Sequence, residues 1–289
     1  MNVSRRLILV DGMAALYRAF YAIRDLSTSD GRPTNAVFGF VRMMRQLRDT
    51  WSPTHWAVVF DGGSPAARLE LLEEYKSQRK PMPDPLREQV AVSEEYLDRG
   101  LVFRTRIEGQ EADDVMASIG ERAAREGADV LIATNDKDMY QVVGDRVRMV
   151  PLAGKKGSLG AEEIKAKTGV QPEQIVEWLA LTGDTADNIP GVPGVGAKTA
   201  ASLLERFGHL EEMWRRIDEI PRERLRETLL DHRDIVARNL AMVRLARDLD
   251  CFPGWDAMRV RPPSPELARL FRDLEFDSMA REIEQPGLL

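Results

Sequence analysis

The chain has 289 residues, of which 43% are hydrophobic and 30% charged, and its formal net charge is −6. Its longest early apolar run, residues 7–10, is too short for a signal peptide or a membrane span, so we expect a cytoplasmic protein. The single cysteine, Cys251, excludes an internal disulfide, and the three scattered histidines provide no spacing for a zinc site.

The net charge hides an uneven distribution. Residues 1–48 hold eight arginines against three aspartates, although an overall negative charge argues against a nucleic-acid partner. Arg42, Arg45 and Arg48 form a stripe beside the apolar face of a predicted helix. This stripe fits either a solvated helix face or a nucleic-acid track.

Short apolar runs predict the strands of one sheet. Buried strands are expected at residues 7–10, 56–60 and 130–134, with further strands near 101–105 and 146–151. Helical patterns separate these strands, at 13–24, 34–48, 86–99 and from 111 onward. Strands alternating with helices predict an α/β fold in which a mostly parallel central sheet is flanked by helices.

Aspartates follow the first, second and fourth predicted strands, counted in chain order. Asp11 ends the first, Asp61 ends the second, and Asp136 and Asp138 come shortly after residues 130–134. Because the carboxyl ends of parallel strands share one edge, where sites of open α/β sheets form, these acids are expected to converge.

Three carboxylates crowd the first turn of the helix that begins near Glu111. Glu111, Asp113 and Asp114 could simply compensate the helix dipole, since acids are favourable there. Together with the strand-end acids, however, so many like charges need a cation to hold them together. The pattern therefore favours a metal site centred on this turn.

Residues 64–99 contain a basic stretch, with Lys76, Arg79 and Lys80, that runs into the proline-rich segment 81–85. The residues alone leave two interpretations open. One is an ordinary exposed helix with a proline stop, and the other is a segment that faces a substrate.

Residues 161–289 contain helical patterns and no convincing strand, so we place a domain change between 160 and 161. A glycine-rich hairpin joins helices predicted at about 172–181 and 196–207. It is not a Walker A loop, because Ala197 separates Gly196 from Lys198, and no strand precedes it as a Rossmann fingerprint requires. Either it is a plain helix connection, or its exposed N–H groups bind a phosphate backbone. Asp184 and Asp187, in the same segment, favour the functional interpretation.

Nine carboxylates thus form the candidate site, without a histidine or cysteine among them. Such a set selects hard cations, Mg²⁺ or Mn²⁺, and it exceeds what one octahedral Mg²⁺ uses. Two or more ions are therefore expected, as in two-metal phosphodiester hydrolysis. The nine residues are Asp11, Asp61, Glu111, Asp113, Asp114, Asp136, Asp138, Asp184 and Asp187.

Several motifs, in order over about residues 4–280, resemble the 5′ nuclease (flap endonuclease) family, in particular the 5′–3′ exonuclease domain of bacterial DNA polymerase I. These motifs are LVDG at 9–12, FD at 60–61, YKSQR at 75–79, EADD at 111–114, DKDMYQ at 136–141 and LTGDTADN at 181–188.

The resemblance implies a PIN-like nuclease domain over residues 1–160, with a helical arch at about 64–99. It also implies an all-α DNA-binding domain over 161–289, with a helix-hairpin-helix (H3TH) module at about 172–207. By position, one metal would take Asp11, Asp61, Glu111, Asp113 and Asp114, and the other Asp136, Asp138, Asp184 and Asp187.

Lys76 and Arg79 match family residues that contact the scissile phosphate, and they are the expected catalytic cations. The expected DNA-binding residues are Arg68, Tyr75, Lys80, Gly191, Gly194, Gly196, Lys198 and Thr199, with a K⁺ ion at the hairpin. The implied substrates are DNA with a 5′ flap or 5′ end and primer RNA, cleaved by a monomer that works with a fused or separate polymerase.

Two other functions fit parts of the sequence. A PIN-type ribonuclease acting on single-stranded RNA would use the same acids but would need neither the arch nor the hairpin. A non-catalytic DNA-junction binder would need the hairpin but not nine acids.

Overall fold

The computed structural model describes residues 5–154 and 157–285 and has a five-stranded, wholly parallel sheet at its centre. The strands lie in the order β3-β2-β1-β4-β5. They are β1 (Arg6–Asp11), β2 (His55–Phe60), β3 (Phe103–Arg106), β4 (Asp129–Ala133) and β5 (Val147–Val150). The α/β class and the parallel sheet predicted from the alternating pattern are confirmed.

Five helices lie among the strands: α1 (Gly12–Ala22), α2 (Asn35–Trp51), α3 (Ala66–Leu71), α4 (Asp84–Arg99) and α5 (Ala112–Arg125). The rest of the described chain is mainly helical, as predicted. Its helices are α6 (Ala161–Thr168), α7 (Ile175–Thr182), α8 (Ala197–Phe207), α9 (Leu210–Arg215), α10 (Glu223–Asp231), α11 (Arg233–Val243), α12 (Trp255–Met258), α13 (Glu266–Asp273) and α14 (Asp277–Glu284). One short ladder was not predicted, the antiparallel pair β6 (Gly183–Asp184) and β7 (Ile189–Pro190) inside the hairpin.

The chain leaves β1 toward β2 and β3 on one side and later returns to β4 and β5 on the other. The crevice between the carboxyl ends of β1 and β4 is therefore a topological switch point, where sites of open α/β sheets form. Within the described residues, every helix is too short or too polar to cross a bilayer.

Both faces of the sheet are covered, because successive residues of β1 are buried on opposite sides. Leu7 and Leu9 join one core with α5 and the helices from α6 to α11, while Ile8 and Val10 join the other with α1, α2 and α4. One core thus continues from the sheet into the helical part. Helices α13 and α14 pack in the second core, against α2 and α4, so the described helices after residue 160 contribute to both cores.

Residues 64–99, the expected arch, contain α3 and α4 with a non-helical stretch between them. Helix α3 ends at Leu71, and residues 72–79 form turns instead of continuing the helix. Helix α4 is a core element whose Leu86 and Leu97 are fully buried. The stretch from about 63 to 82 lies against the site, and Val90 of α4 also lines its cavity.

Candidate active site

A cavity of about 440 Å³ opens at the carboxyl edge of the sheet. Its walls include the acids that follow the strands and those that begin α5, while Lys76 and Arg79 come from the turn segment 72–79. The acidic residues that line it are Asp11, Asp61, Glu111, Asp113 and Asp136. The structure thus brings together acids that are up to 125 residues apart in the sequence.

Hydrogen bonds hold the strand-end acids in place. Asp11 accepts a bond from the backbone N–H of Ala14 at 2.9 Å, which caps α1, and another from the Thr134 hydroxyl at 3.0 Å. Asp61 accepts from the N–H of Ala112 at 3.0 Å and so caps α5 from outside that helix. The N-terminal ends of α1 and α5 thus help to hold the negative charges of Asp11 and Asp61.

Asp113 lies where several of these charges meet. Burial and the charges of Asp136, Asp11 and Asp61 raise the pKa of Asp113 well above its usual range. Burial, opposed by the N–H of Ala14 and assisted by Asp61, raises the pKa of Asp11 to about 6. Carboxylates crowded in this way favour either a proton or a bound cation.

A second acidic group lies beside the first. Ligand oxygens of Asp138, Asp184 and Asp187 all lie within 4.8 Å of one another. Asp136 joins them, because its Oδ1 accepts the N–H of Asp138 at 2.9 Å. One oxygen of Asp138, Oδ1, is buried and has no hydrogen-bond donor among the described residues. Burial and the charges of Asp136 and Asp184 raise the pKa of Asp138 well above its usual range.

This second group fits a hard divalent cation, which would take its ligands from carboxylate oxygens alone. The donor chemistry matches, and the unpartnered oxygen of Asp138 is available to a cation.

Asp114 occupies a different position from its neighbour Asp113. Its Oδ1 and Oδ2 each accept a bond of 2.8 Å from Arg68, and Oδ1 also accepts the N–H of Ala246 at 2.8 Å. The Arg68 guanidinium also donates to Glu111 at 2.7 Å. Arg68 and Asp114 are 7% and 1% exposed, so the pair is buried. The predicted metal ligand Asp114 and the predicted DNA contact Arg68 therefore neutralise each other beneath the site.

Tyr75 and Lys76 link the two acidic groups. The Tyr75 hydroxyl donates to Glu111 at 3.0 Å and to Asp187 at 3.2 Å. Lys76 Nζ lies 2.7 Å from Glu111 and 3.6 Å from Asp187. Burial and the charges of Glu111 and Asp187 raise the pKa of Tyr75 above its usual range. Tyr75 is only 5% exposed, which does not suit the DNA contact expected of it.

Arg79 and Lys80 are the accessible cations of this segment. Arg79 donates to Asp187 at 2.6 Å while its side chain stays 53% exposed at the cavity. Lys80 is exposed and makes no ion pair within the described part of the chain. Arg79 is thus placed to meet a substrate that enters the cavity.

The hairpin holds the turn segment 72–79 through backbone contacts. The Lys76 N–H donates to the carbonyl of Asp187 at 3.0 Å, and the Asn188 side chain donates to the carbonyl of Glu74 at 2.8 Å. Lys76 and Asn188 both have positive φ, 56° and 58°. These contacts between distant segments explain why the basic stretch forms turns, although its composition suits a helix.

The hairpin presents exposed backbone over a buried base. Val192 and Val195 are buried, whereas Gly194, Gly196 and Lys198 are exposed and Thr199 is half-buried. A Cβ on Gly191 would lie 2.2 Å from the carbonyl oxygen of Thr182, so only glycine fits there. Gly196 precedes α8 without a side-chain cap, and a Cβ there would meet open space. The N–H groups of this turn are therefore accessible to a ligand.

Three supporting residues were missed from the sequence. Thr134 orients Asp11, and its place directly after the fourth strand was a usable signal. Lys137 Nζ lies 3.4 Å from Asp184, within the DKD motif. Asn239, fully buried, donates to the carbonyls of Ala180 and Pro190 and so fixes the hairpin, which no local pattern indicates.

Carboxylates gathered at the switch point of a parallel sheet, beneath basic side chains, define the class of metal-dependent phosphodiester hydrolases. Two family models match the chain. The 5′–3′ exonuclease N-terminal resolvase-like domain covers residues 6–169, and the 5′–3′ exonuclease C-terminal SAM fold covers residues 170–266. The chain belongs to the 5′–3′ exonuclease family, and the resemblance to 5′ nucleases is confirmed.

Individual relatives support the same family assignment. The 5′–3′ exonuclease of Aquifex aeolicus is 34% identical, over 97% of this chain and 96% of the relative. DNA polymerase I of Bacillus caldotenax is 36% identical, over 99% of this chain but 33% of the relative. Thermostable DNA polymerase I of Thermus thermophilus is 38% identical, over 98% and 33%. The chain thus spans about a third of the length of these polymerases.

Solved structures share the fold. The T5 D15 protein co-crystallised with metal ions matches with a TM-score of 0.70 and 22% identity, over 97% of this chain and all of that chain. The catalytic core of Rad2 in complex with DNA substrate matches with a TM-score of 0.65 and 20% identity, over 99% and 92%. Another T5 5′-exonuclease structure contains zinc as a divalent metal ion.

Proposed function

We propose that this chain is a structure-specific nuclease that acts on DNA as a 5′–3′ exonuclease and a 5′-flap endonuclease. It hydrolyses phosphodiesters near the junction, leaves a 5′-phosphate and a 3′-hydroxyl, and removes displaced strands and primer RNA in replication and repair. The observation that carries this proposal is the meeting of two carboxylate groups beneath Lys76 and Arg79 at the switch point.

The proposed cofactors are two or more Mg²⁺ ions, with Mn²⁺ as a substitute. Asp11, Asp61, Glu111 and Asp113 would hold the first, and Asp136, Asp138, Asp184 and Asp187 the second. When bound, such a pair supplies a hydroxide nucleophile and stabilises the leaving oxygen. The hydrogen bonds from Ala14, Thr134 and Ala112 hold Asp11 and Asp61 in place for this task.

Asp114, Arg68 and Tyr75 are proposed as positioning residues. Both oxygens of Asp114 are occupied by Arg68, and Arg68 and Tyr75 each donate to Glu111. They therefore orient Glu111 through its Oε2, while Lys76 pairs with its other oxygen, Oε1, at 2.7 Å. This assignment replaces the metal-ligand role expected of Asp114 and the DNA contacts expected of Arg68 and Tyr75.

Lys76 and Arg79 are proposed to bind the scissile phosphate, with Lys80 as a further contact. Both side chains line the cavity. Lys76 pairs with Glu111 of the first carboxylate group, and Arg79 pairs with Asp187 of the second. A phosphate that enters the cavity would replace the carboxylates as the partner of Lys76 and Arg79. It would then be held above the carboxylates. Preorganised cations of this kind stabilise the charge that develops in the transition state.

The hairpin is proposed to bind the duplex through its backbone without reading sequence. Gly191 allows the tight turn, Gly194 and Gly196 expose N–H groups, and Lys198 and Thr199 add side-chain donors. A K⁺ ion is proposed as a further cofactor at this turn, where its positive charge would favour the binding of a phosphate. We also propose that the chain acts as a monomer with a DNA polymerase, fused or separate, as its partner.

One experiment separates this function from its two alternatives. A 5′-flap DNA duplex, labelled at both ends of the cleavable strand, and a single-stranded RNA of the same sequence are each incubated with the protein in Mg²⁺ or EDTA. Junction cleavage of the duplex that requires Mg²⁺ supports the proposal. Cleavage of the RNA alone supports a PIN-type ribonuclease, and a mobility shift without product supports a junction binder.

A further inference from the structure

A second cavity, of about 350 Å³, lies beside the hairpin and shares no lining residue with the carboxylate cavity. One side is formed by the hairpin and the first turn of α8, through Pro193, Gly194 and Thr199. The other side is the beginning of α10. Its lining residues are Arg222, Arg224, Leu225 and Thr228.

Two arginines reach this cavity because of how α10 begins. Residues two apart on a continuous helix point about 200° away from each other. Arg222, however, precedes the helix with an extended backbone, φ −85° and ψ 102°. Arg222 and Arg224 can therefore face the same space, while Glu223 between them does not line it.

These two guanidinium groups are uncommitted, unlike their neighbours. Arg215 pairs with Glu211 and Glu212, and Arg216 pairs with Glu219 at 2.7 Å. In contrast, Arg222 and Arg224 are exposed and form no ion pair within residues 5–154 and 157–285. Their charge is available to an anionic ligand.

The opposite wall supplies groups that suit the same ligand. Gly194 is exposed at the hairpin apex with a φ of +75°, and Thr199 lies in the first turn of α8, where N–H groups and the helix dipole attract anions. Arginine forks bind phosphates in a bidentate manner. Donors from both walls thus converge on one groove.

We propose that Arg222 and Arg224 bind the phosphodiester backbone of the duplex next to the phosphate held by the hairpin. The hairpin and α10 then grip one strand from two sides. This inference rests on the proposed function, because it assigns the substrate's duplex arm to a defined groove. It gives the acidic chain a local basic contact that does not involve the carboxylate cavity.

The test measures how salt weakens binding of a fluorescent 5′-flap duplex in EDTA by the full chain, for the wild type and the double variant Arg222→Gln/Arg224→Gln. Losing two phosphate contacts should lower the slope of log K against log salt by about 1.8. The wild type should then lose about 12-fold more affinity than the variant between 50 and 200 mM salt.

Arg215→Gln serves as the matched control, since that arginine is engaged with glutamates, and its salt slope should equal that of the wild type. Thermal unfolding of each variant reports whether it is folded. A folded double variant with the wild-type slope overturns the inference, and so does an equal loss in Arg215→Gln. Failure of the wild type itself to bind the flap duplex, or to cleave it once Mg²⁺ is supplied, would instead refute the proposed function.

Discussion

Asp113 and Asp114 are consecutive residues of α5, yet their asparagine variants should change stability in opposite directions. Asp114→Asn keeps the shape of the side chain but removes the negative charge that faces Arg68, inside a pair that is almost fully buried. Breaking a buried ion pair costs about 3–5 kcal/mol. We expect a loss of about 3 kcal/mol, the low end, because Glu111 still pairs with Arg68.

Asp113→Asn should raise the free energy of unfolding in EDTA, because it removes one charge from a crowded group. Burial and the charges of Asp136 and Asp11 already raise the pKa of Asp113, which shows that its ionised form is disfavoured there. In Mg²⁺ the free energy of unfolding of Asp113→Asn should fall relative to that of the wild type. A metal at 100 times its Kd stabilises the folded chain by about 2.7 kcal/mol, and Asp113→Asn should lose most of that gain.

Urea denaturation of both variants, with EDTA or with Mg²⁺, measures these differences directly. Asp231→Asn, an exposed residue of α10, provides the control and should match the wild type in both buffers. Wild-type stability of Asp114→Asn in EDTA would contradict a stabilising role of the buried ion pair. Full stabilisation of Asp113→Asn by Mg²⁺ would contradict the metal-ligand role of Asp113.

Four further predictions follow from the same contacts. In EDTA the free energy of unfolding should fall as the pH rises from 4 to about 6. Burial raises the pKa of Asp11 from 3.8 to about 6 in the folded chain, so the unfolded chain releases that proton first. A rise in the denaturation midpoint over this range would contradict the raised pKa of Asp11. Lys76→Met should slow single-turnover cleavage of the flap duplex by about 10²–10³-fold, and an unchanged rate would remove Lys76 from the catalytic site. Gly191→Ala should lower the melting temperature, because its Cβ meets a carbonyl oxygen at 2.2 Å, whereas Gly196→Ala should keep it and weaken only duplex binding; equal melting temperatures would argue against the close approach. Asn239→Ala should cost about 1–3 kcal/mol in denaturation experiments, because the buried carbonyl of Ala180 and the carbonyl of Pro190 lose their donor. A neutral effect would mean that these carbonyls find another donor.

The sequence predicted the parts of the site that depend on strand order. A buried apolar run followed by aspartate marks the carboxyl end of a strand, and parallel pairing then brings Asp11, Asp61 and Asp136 to one edge. The hairpin was equally predictable, because glycines at fixed spacing between two helical patterns leave few alternatives. Both inferences use local rules whose consequences the sheet carries over long distances.

The directions of individual side chains could not be predicted in this way. Asp113 and Asp114 differ by one step of about 100° on α5, yet Asp113 faces the cavity while Asp114 faces Arg68 in a separate helix. The turn around Lys76 depends on contacts with Asp187 and Asn188, more than 100 residues away. Such arrangements follow from tertiary contacts, which override local helix propensity.

The packing of the last helices was also beyond local patterns. Amphipathic α13 and α14 present apolar faces, but the sequence does not say which core receives them. Leu267 and Phe271 are buried against α2 and α4, so the chain returns to the side on which it began.

In the proposed function, two carboxylate groups hold the metals that cleave a 5′-flap duplex. Its most direct test is the rate of single-turnover cleavage of that substrate across a Mg²⁺ titration, with the product ends identified. We expect no product in EDTA, a dependence of the rate on Mg²⁺ steeper than first order, and a cut at the junction that leaves a 5′-phosphate and a 3′-hydroxyl. Cleavage that persists in EDTA, or tight flap binding without cleavage at any Mg²⁺ concentration, would contradict it.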